Sequence, residues 1–186
     1  MPKVYVLFGM TGAGKSFIAS RMAKMTGIRR IKNTTTRPKR SDIDNEYNFT
    51  TSDSFLMDKG RYVATRAYHT LIEDHPQTHY YGVDKLELEK GGILITDFEG
   101  LKELIQRNYD VVGIYIYSSP ETRLTRSMVR SGFKMEEFNR RNRDDLEKFK
   151  LEDIIELGKT HPIYIIENNL TTNIETICNK INNIMK

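Results

Sequence analysis
Tryptophan is absent from the 186 residues, cysteine occurs once and histidine four times. The lone Cys178 excludes an internal disulfide, and with it the disulfide-stapled folds of small secreted proteins, so a cytoplasmic location is expected. It lies in an apolar-periodic stretch and reads as buried packing rather than as a nucleophile. His69, His75 and His79 share one segment, but Pro76 interrupts the H-x-x-x-H spacing and no cysteine is near. A polar loop is expected there, not a zinc site. Long apolar runs are missing too. The run at residues 111–117 is far too short to cross a bilayer, and the opening Met-Pro-Lys-Val lacks the layout of a secretory signal. Neither charge sign dominates: 29 Lys and Arg against 25 Asp and Glu leave +4, too little to indicate nucleic acid. The expected partners are therefore small molecules, with no membrane and no nucleic acid; oligomeric state is left open.

What is present begins at once. Residues 4–8 are a hydrophobic strand that runs into Gly9-Met10-Thr11-Gly12-Ala13-Gly14-Lys15-Ser16, a complete G-x-x-x-x-G-K-[ST] loop, followed by a helix-forming run from Phe17. Glycines let the backbone curl with its N–H groups inward, beside a positive helix end, where phosphate oxygens bind. Gly9, Thr11, Gly12, Ala13, Gly14, Lys15, Ser16 and Phe17 form the expected ATP-binding set. Lys15 reaches the outer phosphates and the Ser16 hydroxyl ligates Mg²⁺.

Strands and helices alternate in the manner of a parallel sheet. Strands are expected at 3–8, 29–33, 92–97, 111–117 and 162–167, and helices at 15–25, 99–108, 120–130, 135–157 and 172–185. Ser119 before Pro120 starts one helix, and Thr171 or Thr172 can cap the last. Gly27, Gly100 and Gly158 fall where helices begin or end. From about 34 to 90 the pattern breaks into short extended pieces (47–50, 62–67), a small helix opening at Ser52-Asp53, and a polar stretch from His69 to His79. This reads as an inserted α+β lobe. The strand at 92–97 ends on Asp97, which suits either a second hold on Mg²⁺ or a helix cap.

Thr34-Thr35-Thr36-Arg37-Pro38-Lys39-Arg40, Tyr47-Asn48-Phe49 and Tyr80-Tyr81-Gly82, taken with the phosphate loop, resemble the guanylate kinase family over nearly the whole chain. The resemblance implies an α/β phosphate-loop NTPase fold of three layers with a parallel sheet, an inserted acceptor-binding lobe and a helical lid. It implies one domain, 1–186, with core 1–33, 91–122 and 158–186, lobe 34–90 and lid 123–157. The implied activity is transfer of the ATP γ-phosphoryl to GMP or a related monophosphate, using Mg²⁺. Arg37, Arg40, Tyr47 and Tyr81 match the acceptor-phosphate clamp, and Asn33 and Asp97 are counted with them. Two guanidinium forks and two phenols suit a dianion. Arg126, Arg130 and Arg141 match lid arginines that act with Lys15 and Arg37 in transfer, while Arg123, Arg140 and Arg143 are free to face solvent. Glu167-Asn168-Asn169 loosely matches a strand end near the adenine.

At the family's guanine-reading positions the chain has Ala64 (or Thr65), Val83 and Ile95, none of which accepts as a carboxylate does. Glu73 and Asp74, in a longer connection, offer a substitute. Thr36-Arg37-Pro38 and Tyr80-Tyr81-Gly82-Val83 also resemble ribose bisphosphate kinases, which act on a phosphosugar. Guanylate kinase-like modules without catalysis are a further class, typically with a degraded phosphate loop.

Overall fold
Apolar β-branched and aromatic residues in unbroken runs make strands that are buried on both faces, and two such runs lie at the centre of this fold. The structure, a computed structural model, describes residues 2–39, 44–72, 75–129 and 132–186. In chain order the first elements are β1 (Val4–Phe8), α1 (Lys15–Thr26), β2 (Arg30–Ile31), β3 (Asn33–Thr35), β4 (Tyr47–Phe49), α2 (Ser52–Met57), β5 (Tyr62–Ile72) and β6 (His75–Asp84). The remainder are α3 (Lys85–Leu88), β7 (Gly92–Ile95), α4 (Phe98–Gln106), β8 (Val111–Tyr117), α5 (Pro120–Met128), α6 (Met135–Lys148), α7 (Leu151–Gly158), β9 (Ile163–Glu167) and α8 (Ile174–Met185).

A five-stranded parallel sheet runs β2-β7-β1-β8-β9. Alternation along β1 and β8 sorts their side chains to two layers. Tyr5, Leu7, Val112, Ile114 and Ile116 pack under α1 and α8. Val4, Val6, Phe8 and Tyr115 pack under α4, Phe149 and α7. Gly113 sits where a Cβ would lie 3.0 Å from Leu101, so its lack of a side chain lets α4 close on the sheet. This is an α/β fold of three layers, as expected.

The lobe carries a second sheet, β4-β3-β6-β5. The expected strand at 29–33 therefore divides: Arg30–Ile31 joins the core sheet and Asn33–Thr35 the lobe sheet, with only Lys32 between. The expected polar loop at 69–79 is instead part of the β5–β6 antiparallel hairpin, whose ladder runs from Tyr62↔Asp84 to Ile72↔His75. Glu73 and Asp74 lie outside the described residues. Lobe packing centres on Phe55, stacked 4.4 Å from Tyr62 and 5.8 Å from Tyr80.

Two further readings are corrected. The expected single helix at 135–157 is broken, because Phe149 leaves helical geometry (φ −113, ψ 57) to bury its ring beside Tyr115. Asn173, not Thr171 or Thr172, caps α8, accepting from the Glu175 amide at 2.7 Å, while the Thr172 hydroxyl accepts from the Asn169 amide. Ser119 caps α5 as the Ser-Pro pair implies, and Gly27 closes α1 in the left-handed region (φ 72).

Candidate active site
The turn from β1 to α1 keeps its curl by steric default and by hydrogen bonds. Gly12 (φ +82) and Gly14 (φ +91) occupy the left-handed region, and a Cβ on either would come within 2.8 Å of Arg123 backbone or Asn168 side chain. Lys15 Nζ donates back to the Gly9 and Met10 carbonyls at 2.6 and 2.9 Å. Ser16, the second residue of α1, is exposed. The Thr11 amide already donates to an anionic oxygen, Asp145 Oδ2 of α6, at 2.5 Å. The loop thus presents main-chain donors to an anion, which is what triphosphate binding needs.

That loop opens into a cavity of about 290 Å³ that residues of both sheets and of α6 also line. Gly9, Thr11 and Lys15 line it from the loop, Asn33, Tyr47 and Tyr81 from the second sheet, Asp97 from the end of β7, and Arg141 from α6. These expected residues are brought together. Tyr47 and Tyr81 meet edge to face at 5.7 Å. Arg37, 8% exposed, stacks over the Tyr47 and Phe49 rings, pairs with Asp44 at 2.9 Å and donates to the Pro38 carbonyl at 2.7 Å; unlike the two tyrosines it is outside the cavity's lining. Asn33 spends its amide N–H on the Ile95 carbonyl.

Other expected residues lie elsewhere. Arg126 is behind the loop, donating to the Asn168 carbonyl at 2.9 Å and to Ala13 O at 3.4 Å, and burial lowers its pKa. Asn168 itself is buried and donates to Ala13 O at 2.8 Å. Phe17 is 56% exposed. Arg40 and Arg130 lie outside the described residues. Arg123, expected to face solvent, is 1% exposed, with Nε and Nη1 lacking partners among the described residues. Arg140, also expected outside, lines the cavity.

Asp97 ends the β7 segment as a cap. Its Oδ1 accepts from the Gly100 amide at 2.8 Å and from Arg66 Nε at 3.0 Å; Oδ2 accepts from Arg66 Nε at 3.1 Å and from the Tyr68 hydroxyl at 3.4 Å. Of its two possible roles, the helix cap is the one seen. Among the described residues no three His, Cys, Asp or Glu side chains gather as a metal site.

Sequence reasoning missed Arg66, Tyr68, His79 and Asp145. Two of them, Arg66 and Tyr68, depend on a bulge. Val63 pairs with Val83 and Arg66 with Tyr81, so β5 advances three residues while β6 advances two. The extra residue is accommodated at Ala64, which takes φ +49. Without it Thr65 would oppose Tyr81; with it Arg66, Tyr68, His79 and Tyr81 share the cavity face. Burial, and after it Asp97, raise the Tyr68 pKa, so the phenol stays a donor. Burial and then Arg37 lower His79, which keeps the imidazole neutral. The only hint in sequence was a cation at position 66 inside an otherwise neutral strand.

No protein-family model and no curated protein matches the chain. Among solved structures, a guanylate kinase from Anaplasma phagocytophilum is similar at TM-score 0.58 and 20% identity, over 99% of this chain and 84% of that one. An unliganded sugar kinase from Janibacter sp. HTCC2649 is similar at TM-score 0.56 and 13% identity, over 100% of this chain and 95% of that one. Both likenesses concern the fold, which is that of a phosphate-loop kinase. No helix among the described residues is long and apolar enough to cross a membrane.

Proposed function
We propose that the protein is a cytoplasmic ATP-dependent phosphotransferase of guanylate kinase type that phosphorylates a nucleoside monophosphate. One observation carries the reading: the phosphate loop and the Tyr47–Tyr81 pair, with Arg37 stacked on Tyr47, line or abut a single cavity that α6 also lines. A donor anion and an acceptor anion then meet head to head, and catalysis is positioning plus charge neutralisation, with no protein nucleophile.

The residues present fit ATP and Mg²⁺, since the loop's glycines leave no room for side chains and its Thr11 amide already holds an oxyanion. When bound, ATP supplies the phosphoryl group and Mg²⁺ neutralises its charge. Lys15 and the loop amides hold the donor, and Ser16 offers the metal a hydroxyl. To join it, Asp97 would share oxygens that already accept from the Gly100 amide, Arg66 Nε and the Tyr68 hydroxyl. Arg37, Tyr47 and Tyr81, with Arg40, hold the acceptor phosphate. Arg141, with Arg130, neutralises charge during transfer and the lid excludes water, while Arg126 reaches the phosphates only by leaving Asn168 and Ala13. The domain is a single unit comprising core, lobe and lid.

The sugar-kinase neighbour and the lack of guanine-reading carboxylates favour a second reading, a phosphosugar acceptor. Coupled-assay turnover with ATP and a panel of GMP, dGMP, AMP, CMP, UMP and ribose bisphosphate separates the two. Lys15→Ala is expected to lower turnover about 10²-fold or more with the fold retained. Near-normal turnover in that variant refutes the donor assignment.

A further inference from the structure
Three phenols stand in a row along the second-sheet side of the cavity, and all three line it. Tyr81 is in the middle, 5.7 Å edge to face from Tyr47 and 5.2 Å from Tyr68, whose ring is perpendicular to its own. Arg37 stacks on Tyr47 at one end, 4.9 Å from the ring centre. At the other end the Tyr68 hydroxyl donates to Asp97 Oδ2 at 3.4 Å. The row thus leads from the residues assigned to the acceptor phosphate to the end of β7, where Ile95 pairs with Leu7 just ahead of the phosphate loop. Tyr68 stands where the two phosphates would meet.

Its hydroxyl is accessible and loosely held. Tyr68 is 39% exposed, and its contact with Asp97 is itself exposed. A bond of 3.4 Å is long for O–H···O, where about 2.5–3.0 Å is usual. Asp97 does not depend on it, since the Gly100 amide donates to Oδ1 at 2.8 Å and the one Arg66 Nε–H is shared between both oxygens. The ring, by contrast, is fixed: Tyr81 packs on it, Lys148 Nζ of α6 lies 5.3 Å from its centre, and its backbone pairs with His79. The other carboxylates of the cavity, Asp144 and Asp145, stand on α6 and are engaged by Arg140 and by the Thr11 amide. A phenol is protonated at neutral pH and meets an oxyanion as a donor. A phosphate dianion carries more charge than a carboxylate already paired with Arg66, and hydrogen bonds to charged acceptors are roughly twice as strong as those between neutral groups.

Resting on the kinase reading above, we propose that Tyr68 is a third phenol of the acceptor-phosphate site, its hydroxyl leaving Asp97 to donate to a phosphate oxygen whichever base or sugar carries that phosphate. The test is calorimetric titration of the full chain, wild type and Tyr68→Phe, with GMP, UMP and ribose 1,5-bisphosphate, and with guanosine and uridine as phosphate-free controls, beside turnover of each phosphate with ATP. Tyr68→Phe keeps the ring and removes only the hydroxyl. It is expected to weaken, by about tenfold and by a similar factor for each, every phosphate that the wild type binds, leaving nucleoside binding and the KM for ATP within about twofold. Unchanged phosphate affinity overturns the proposal, as does a loss confined to one base or shared by the nucleosides. A second arm needs no loss of the hydroxyl: the ¹⁹F resonance of 3-fluorotyrosine placed at position 68 alone should move on saturation with a bound phosphate and not with its nucleoside, and a resonance that stays put also overturns it. Hydroxyl-dependent binding without phosphoryl transfer supports the Tyr68 assignment while removing the kinase reading. Transfer with an unchanged acceptor KM in Tyr68→Phe does the reverse, and a wild type that binds none of the three phosphates removes both.

Discussion

Asp145 accepts the Thr11 amide proton from across the cavity, and this sets a carboxylate in competition with any phosphate that enters the loop. A ligand that must first displace an internal group binds more weakly by the fraction of time the site is blocked. Asp145→Ala is accordingly expected to tighten binding of a non-hydrolysable ATP analogue by about three- to tenfold, measured by titration. Unchanged or weaker binding would show that the contact does not compete. Arg123 poses the opposite problem, a guanidinium at 1% exposure with two nitrogens unpartnered among the described residues. Replacing such a buried ion by an apolar side chain of similar length is often stabilising, by about 1–4 kcal/mol. Arg123→Met should therefore raise the melting temperature in a thermal-unfolding scan; a fall would mean that the charge is compensated in the native state. Neither residue announced itself in the sequence. Asp145 acts through a contact with a residue 134 positions away, and Arg123 lies in a helix pattern that reads equally well with that side chain outside.

Among the elements, those with a period of their own were legible. The runs at β1 and β8 are apolar throughout and could only be buried strands. The Ser119-Pro120 start of α5 is a local chemical signal and appears where expected. What escaped detection was decided by contacts far along the chain. The polar β5–β6 hairpin lacks an apolar alternation, and its bulge is a matter of register between two strands. The break at Phe149 reflects burial of one ring in a core assembled from β1, β8 and α4. Helix α6 buries none of its side chains, so its charged pairs matter more than packing does. Glu137 is central to them: a hydrogen bond from Arg140, opposed by burial and aided by Arg141, pulls its carboxyl from 4.5 to about 2. Because the folded value is the lower one, this support is complete above about pH 4.5 and is lost as pH falls towards 2. Circular dichroism of wild type against Glu137→Gln should show a difference in helix stability at pH 6 that disappears by pH 2. A difference independent of pH would rule out the ion pairs as its source.

For the whole molecule, the parts of the site come from well-separated stretches: the loop at 9–16, the second-sheet residues from 33 to 81, the end of β7 at 95–97, and α6. The phosphate loop stands out in the sequence because its glycines, Lys15 and Ser16 are close together, whereas Arg37, Tyr47 and Tyr81 lie far apart and are singled out only by resemblance. The sequence did not reveal that β2 and β3 belong to different sheets, with only Lys32 between them. A one-residue joint leaves no slack. Any rotation of the lobe that carries Tyr47 and Tyr81 toward the loop must twist the edge of the core sheet with it, so backbone amides at Ile31 and Thr34 should gain or lose deuterium-exchange protection together when an acceptor binds.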